Sequence, residues 1–183
     1  MWDVIIGKSE HECLALLEQL VITETLHTFH YTGFIVAEVD GLLVAAISGY
    51  DPMELGRDKE ALGGLEAGQK IGLTEADWEK IQKGISTISA VRPDEIEGAW
   101  TLESVAVLPE FRRSGLMNQL MEEMLEIGRR RGFHLAQGSV FIGNTASLKA
   151  CEKCGFRVVD EKRHPDFESE TGCPGLVKLL LDL

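Results

Sequence analysis

A mixed α/β fold, one sheet covered by helices, is predicted by three features of the sequence. Phe34–Val39 and Leu42–Ile47 are two strand-like runs joined by Asp40-Gly41, a tight-turn dipeptide, and together they read as a β-hairpin. The second half alternates strand and helix patterns, which implies a right-handed crossover and two parallel neighbours among otherwise antiparallel strands. Between these halves lies a stretch of different character, from about Pro52 to Gly98, rich in glycine and charge and punctuated by helix patterns.

The length of 183 residues suits one domain, so the expected organisation is a single domain over 1–183 with a helical insertion at about 52–98. Lys and Arg number 18 against 30 Asp and Glu, a net charge of −12. Such an acidic chain is a poor nucleic-acid binder, because counterion release needs clustered cations. No run approaches the length of a membrane span, and the start at Met1-Trp2-Asp3 lacks the basic region of a secretory signal. A cytoplasmic location is therefore expected, with no membrane or nucleic-acid partner. The four cysteines need no disulfide framework in a chain this apolar. Cys151-x-x-Cys154 has no second pair, and His27 and His30 have no companions, so no metal is expected.

In chain order, Ser9-Glu10-His11-Glu12 is a capping-box pattern. It opens a helix over about 10–22, with Leu14, Leu17 and Val21 at helical spacing. In the insertion, Thr74-Glu75-Ala76-Asp77 repeats the capping pattern. Trp78, Ile81, Ile85 and Ile88 then form an apolar stripe whose nearest burial surface is the face or end of the sheet. The glycines at 56, 63, 64, 68 and 72 read as a loose connector, as a lid or selectivity loop beside a cleft would be. Trp100–Val107 is a strand. Ser114–Arg131 is a helix with Leu116, Leu120, Met124 and Ile127 facing inward, ended by Gly132. Leu135–Phe141 is a strand. A helix over 144–154 follows, capped by Asn144 and stopped by Gly155, and Phe156–Asp160 and Leu176–Leu181 complete the strands.

The segment that carries chemistry runs from Val105 to Met117. A strand passes through Pro109-Glu110-Phe111-Arg112-Arg113-Ser114-Gly115 into a helix start. Free backbone N–H groups and the helix dipole make such a turn an anion site, and Gly115 allows close backbone approach. It is neither a Walker loop nor a Rossmann fingerprint, since it lacks Gly-Lys-Ser/Thr and carries a single glycine.

These residues resemble the GNAT acetyltransferase superfamily. Its signature strand ends Val-x-Val-x-Pro-Glu, and Arg/Gln-x-x-Gly-x-Gly/Ala then opens a helix. Arg112, Gly115 and Met117 hold the three signature positions, Met117 where a small residue is usual. A second family motif follows in Asn144 to Phe156. There Asn144, Gly155 and Phe156 match, while Ser147 stands for the usual Ala and Cys151 for the usual Tyr. The resemblance covers about residues 33–182. It implies a mixed, mostly antiparallel sheet with helices on both faces, splayed at the signature strand. Family members open with a strand and helix before the hairpin. Here Val4-Ile5-Ile6 could supply at most a vestigial strand, and the usual first strand is expected to be absent.

The resemblance further implies acetyl-CoA as co-substrate and direct attack by an acceptor amine, of a small molecule or a protein, in a ternary complex. The pantetheine and thioester would meet the backbone of Val105, Ala106 and Val107. The pyrophosphate would meet the turn of Arg112, Arg113, Ser114, Gly115, Leu116 and Met117, with Asn144 and Ser147 as further cofactor-side residues. Glu103, expected on the strand face of Val105 and Val107, would be the general base. Cys151 is the candidate acid in place of Tyr, although a thiol is a weak donor. The alternatives are a non-catalytic acyl-CoA-binding module, favoured by Met117 and Cys151, and a helical interaction protein built on the Trp78–Ile88 stripe. A homodimer is compatible with the sequence.

Overall fold

The computed structural model describes residues 2–183. Its elements in order are α1 (Trp2–Ile6), α2 (Glu10–Leu20), β1 (Phe34–Val39), β2 (Leu42–Tyr50), α3 (Arg57–Lys70), α4 (Glu75–Ser89), β3 (Ala99–Val107), α5 (Leu116–Arg130), β4 (Leu135–Phe141), α6 (Thr145–Lys153), β5 (Arg157–Arg163), α7 (Pro165–Thr171) and β6 (Gly175–Asp182). Six strands form one sheet in the order β1-β2-β3-β4-β6-β5. Only β3 and β4 run parallel; every other pair is antiparallel. The hairpin forms where Asp40-Gly41 predicts it, with φ of 51° and 81° supplying the two left-handed residues of a tight turn.

One face of the sheet carries the main core. Trp100 and Leu102 from β3, Ala136 and Val140 from β4, and Val177 and Leu179 from β6 pack under Leu120, Met121, Met124 and Leu125 of α5. The α5 stripe is therefore as the spacing predicts, with Leu116 and Ile127 at its margins. The helix starts at Leu116, two residues later than Ser114, because Gly115 is left-handed at φ 88° and serves as its N-cap.

A second cluster is wholly helical. Ile6, Cys13, Leu16, Leu20, Ala67 and Ile81 are buried together, with Trp78 against them. Both capping boxes form: the Glu12 N–H donates to Ser9 Oγ at 3.5 Å, and the Asp77 N–H to Thr74 Oγ1 at 3.3 Å. Three expectations are corrected here. First, α2 buries Cys13, Leu16 and Leu20 and leaves Leu14 exposed, so its inward face is offset from the one the leucine spacing suggested. Second, the α4 stripe does not lie on the sheet as a unit. Ile81 and Trp78 turn to α1, α2 and α3, Ile85 is exposed, and Ile88 joins Val91, Phe167 and Leu176 under α7. Third, the glycine-rich 56–72 segment is no loose connector, because residues 57–70 are helix α3. A Cβ on Gly63 would lie 2.2 Å from the His27 ring, and one on Gly68 2.3 Å from Trp78. These glycines permit close packing and not flexibility. At the N-terminus, Val4–Ile6 falls within α1, and no strand precedes β1 among the described residues.

Candidate functional site

The site is set by where β3 changes partners. Its pairing with β4 spans only Ala99–Thr101 against Leu135–Gln137. Beyond that, β3 continues along β2 to Val107 while β4 continues along β6 to Phe141. The two strands thus part, and the edge of β3 from Ser104 to Val107 that faces β4 has no ladder partner among the described residues. The splay coincides with a β-bulge: Ser48 pairs with Glu103 and Ala46 with Ala106, so residues 104–105 oppose Ile47 alone. Ser104 sits at φ 54°, a strained value for a residue with a side chain.

The bulge overturns one expectation. Strict alternation would carry Glu103, Val105 and Val107 on one face. The extra residue flips the pleat, so Val107 packs against the same core as Leu102 while Glu103 points to the opposite face. Val105 and Ala106 are exposed at the splay.

At the end of β3, Pro109–Phe111 makes one 3₁₀ turn and the chain enters α5. Arg113, at φ 64°, and Gly115 are both left-handed. Ser114 Oγ donates to the Phe111 carbonyl at 2.5 Å, and Arg112 Nε to the Val107 carbonyl at 3.2 Å, fixing the turn against the strand. Gly115 provides no side-chain cap. Among the described residues, none accepts a hydrogen bond from the backbone N–H groups of 113–118. A Cβ on Gly115 would meet nothing within 4 Å, so the turn opens outward. Six unclaimed donors at a helix N-terminus, on an open turn flanked by two arginines, fit a pyrophosphate. Leu116 and Met117 pack against the main core, so the long side chain at the position where the motif usually has a small residue is directed inward.

On the opposite sheet face lies a polar cleft lined by Arg92, Asp94, Thr101, Glu103, Gln137, Ser139 and Lys178. The segment after α4 closes it. Gln137 accepts from the Ile96 N–H at 2.9 Å and donates to the Ile96 carbonyl at 3.2 Å, and Lys178 donates to the Asp94 carbonyl. The Glu103 carboxylate lies 3.6 Å from Arg92 and keeps only 23% of its side chain exposed. Burial pushes its pKa above the usual carboxylate range, with Arg92 opposing that rise. The buried Tyr50 hydroxyl lies beside Glu103 with no well-formed hydrogen bond among the described residues, and burial and the Glu103 charge together hold its pKa well up.

Of the remaining expected residues, Asn144 caps α6, its Oδ1 accepting from the Ser147 N–H at 3.2 Å. Cys151 is buried in the main core, where burial pushes its thiol up to about 11. It is therefore protonated at neutral pH. Cys154 accepts a weak bond from Asn118 Nδ2 at 3.4 Å and forms no disulfide. Among the described residues no His, Cys, Asp and Glu cluster could hold a metal, and no helix is long and apolar enough to cross a membrane.

Sequence reasoning missed Arg92, Glu60, Tyr50, Gln137 and Lys178. Each is brought to Glu103 or its cleft by tertiary pairing. Only the Arg92-Pro93 step, which ends a helix pattern, hints locally that the chain turns there.

A six-stranded mixed sheet that parts between β3 and β4, with a bare helix N-terminus at the end of β3, defines an acetyltransferase architecture. The chain matches the acetyltransferase (GNAT) family over residues 7–156, and it belongs to that family. It is by class an N-acetyltransferase enzyme. Among curated proteins none matches it. Its structure is similar to one described as the crystal structure of acetyltransferase, with TM-score 0.67 and 18% identity, covering 98% of this chain and 84% of that one. An N-acetyltransferase from Staphylococcus aureus Mu50 is similar at TM-score 0.70 and 17% identity, covering 98% and 88%. YncA, a putative acetyltransferase from Salmonella typhimurium determined with its cofactor acetyl-CoA, is similar at TM-score 0.50 and 16% identity, covering 96% and 91%. At these identities the likeness concerns the fold.

Proposed function

We propose that the protein transfers an acetyl group from acetyl-CoA to an amine of a small molecule or protein by direct attack, with Glu103 as general base. The observation that carries this reading is the pairing of two features on β3. One is an open turn of unclaimed amides at its end; the other is a mostly buried carboxylate, 3.6 Å from Arg92, just before its splay.

The N–H groups of residues 113–118 would hold the pyrophosphate, with Arg112 and Arg113 adding charge in an otherwise acidic molecule. The unpartnered backbone edge at Val105–Val107 would bind the pantetheine and orient the thioester carbonyl, which supplies the acetyl group. Asn144 and Ser147 at the start of α6 would border the same ligand. Glu103 accepts the proton that the attacking nitrogen loses, directly or through one water. A carboxyl raised toward neutral pH is a better base than an ordinary one. The new C–N bond replaces the C–S bond, and the sulfur leaves as a thiolate or takes a proton. Cys151, the candidate donor, lies in the main core with its thiol pushed up to about 11, which makes it a poor acid toward a leaving thiolate, so the sulfur takes its proton from solvent. The acceptor would approach from the Glu103 face, and a location in the cytoplasm suits a supply of acetyl-CoA.

Glu103→Gln tests the reading. Turnover, measured as thiol release with an amine panel at neutral pH, should fall at least tenfold while acetyl-CoA affinity stays within about twofold, because a base acts in the transition state and not in holding the co-substrate. Turnover retained within about threefold would mean that the base is elsewhere.

A further inference from the structure

Arg92 stands between two carboxylates. One guanidinium nitrogen lies 3.5 Å from Glu60 Oε2, the other 3.6 Å from Glu103 Oε1. Neither contact is a short two-point fork, the arrangement in which arginine neutralises a carboxylate most fully. The Arg92 side chain is largely buried, 21% exposed, and its backbone is held: Val91 beside it is fully buried, and the Arg92 N–H bonds back to the Ile88 carbonyl at 3.0 Å. Glu60 is fixed as well, its Oε2 accepting from Thr28 Oγ1 at 3.4 Å. The groups that face Glu103 are thus Arg92 and Glu95 from the segment after α4, Tyr50 from β2 and Glu60 from α3. In the same cleft, Lys178 is turned to the Asp94 carbonyl, where it keeps its positive charge, and the Asp94 carboxylate pairs with Lys162 at 3.0 Å.

We propose that Glu60, on the inserted helix α3, is a positioning residue for the reaction: it holds one side of Arg92, so that the guanidinium is shared and Glu103 is left able to accept a proton. This rests on the reading of Glu103 as base. Two effects act together. Glu60 draws Arg92 away from a two-point pairing that would fix Glu103 as a carboxylate. Its own negative charge, close by in a poorly solvated region, also opposes ionisation of Glu103. The insertion thereby contributes to the chemistry through a helix packed behind the cleft.

The test is a ¹³C-carboxyl titration of glutamate-labelled protein without ligand, the Glu103 signal being assigned by its loss in Glu103→Gln. In Glu60→Gln, the Glu103 midpoint should move to lower pH by about half to one unit. In Arg92→Met it should move to higher pH, and Arg92→Lys should bring it back toward the wild-type value. The acid limb of kcat/KM should move with the midpoint in each variant. An unchanged midpoint in Glu60→Gln overturns the proposal. If that variant does not fold, Glu60→Asp, which keeps the charge but draws it back from Arg92, takes its place, and an unchanged Glu103 midpoint in it overturns the proposal. If the midpoint moves as expected but the acid limb survives in Glu103→Gln, the base assignment is what fails, and the catalytic meaning of the Glu60 contact fails with it.

Discussion

Gly63 and Gly64 are neighbours on α3 with opposite surroundings. A Cβ on Gly63 would lie 2.2 Å from Cδ2 and 2.5 Å from Nε2 of His27, whereas one on Gly64 would meet nothing within 4 Å. The His27 ring cannot step aside. It is fully buried, its Nδ1 accepts from the Phe29 N–H at 3.1 Å, and its Nε2 lies 3.1 Å from the Leu20 carbonyl. Gly63→Ala is therefore expected to destabilise by ~1–3 kcal/mol through overpacking. Gly64→Ala should stabilise by ~0.5–1 kcal/mol by relieving the entropic cost of glycine in a helix. Thermal melts of the two variants check this, and the contradicting result is the same sign for both. The sequence shows two adjacent glycines and cannot distinguish them, because the distinction is made by a histidine that the fold brings from far along the chain. The same limit hid Arg92 and Glu60. By contrast, Gly115 was legible, since a strand–turn–helix junction places it without any long-range partner.

At the scale of elements, local signals match the structure where they are self-contained. The capping boxes at Ser9 and Thr74, the Asp40-Gly41 turn and the α5 stripe each depend on residues within one turn or one helix. The signals that failed need partners. The α4 stripe divides between two clusters because α1, α2 and α3 approach one end and α7 the other. The β3 alternation fails because a bulge is invisible in a hydrophobic pattern. Helix α3 was missed as an ordered element because its glycines, which weaken a helix alone, are needed for close contact with His27 and Trp78. Trimming 54–72 to a short linker is consequently expected to do more than change acceptor choice. It removes Ala67 from the helical core, the Glu66 carboxylate that accepts from the Glu24 and Thr25 N–H groups, and the Glu60 contact to Arg92. The trimmed protein should melt at a clearly lower temperature than the full chain. A melting temperature equal to that of the full chain would contradict the packing described for α3.

Over the whole molecule, the sheet serves two faces. The α5 side is apolar and closes on Trp100, Met124 and Leu179. The other is polar around Glu103, Gln137 and Lys178, and the end of the insertion is stitched across it. The splay between β3 and β4 puts the proposed co-substrate edge and the proposed base on one strand. The net charge of −12 makes the arginine-bearing turn before α5 a local exception. The most direct measurement of the central claim is an acetyl-CoA titration followed by backbone amide ¹H–¹⁵N NMR. The amides of residues 113–118 and of Val105–Val107 should shift most, and those of α3 and α4 least. Shifts concentrated away from the β3–α5 junction would contradict it.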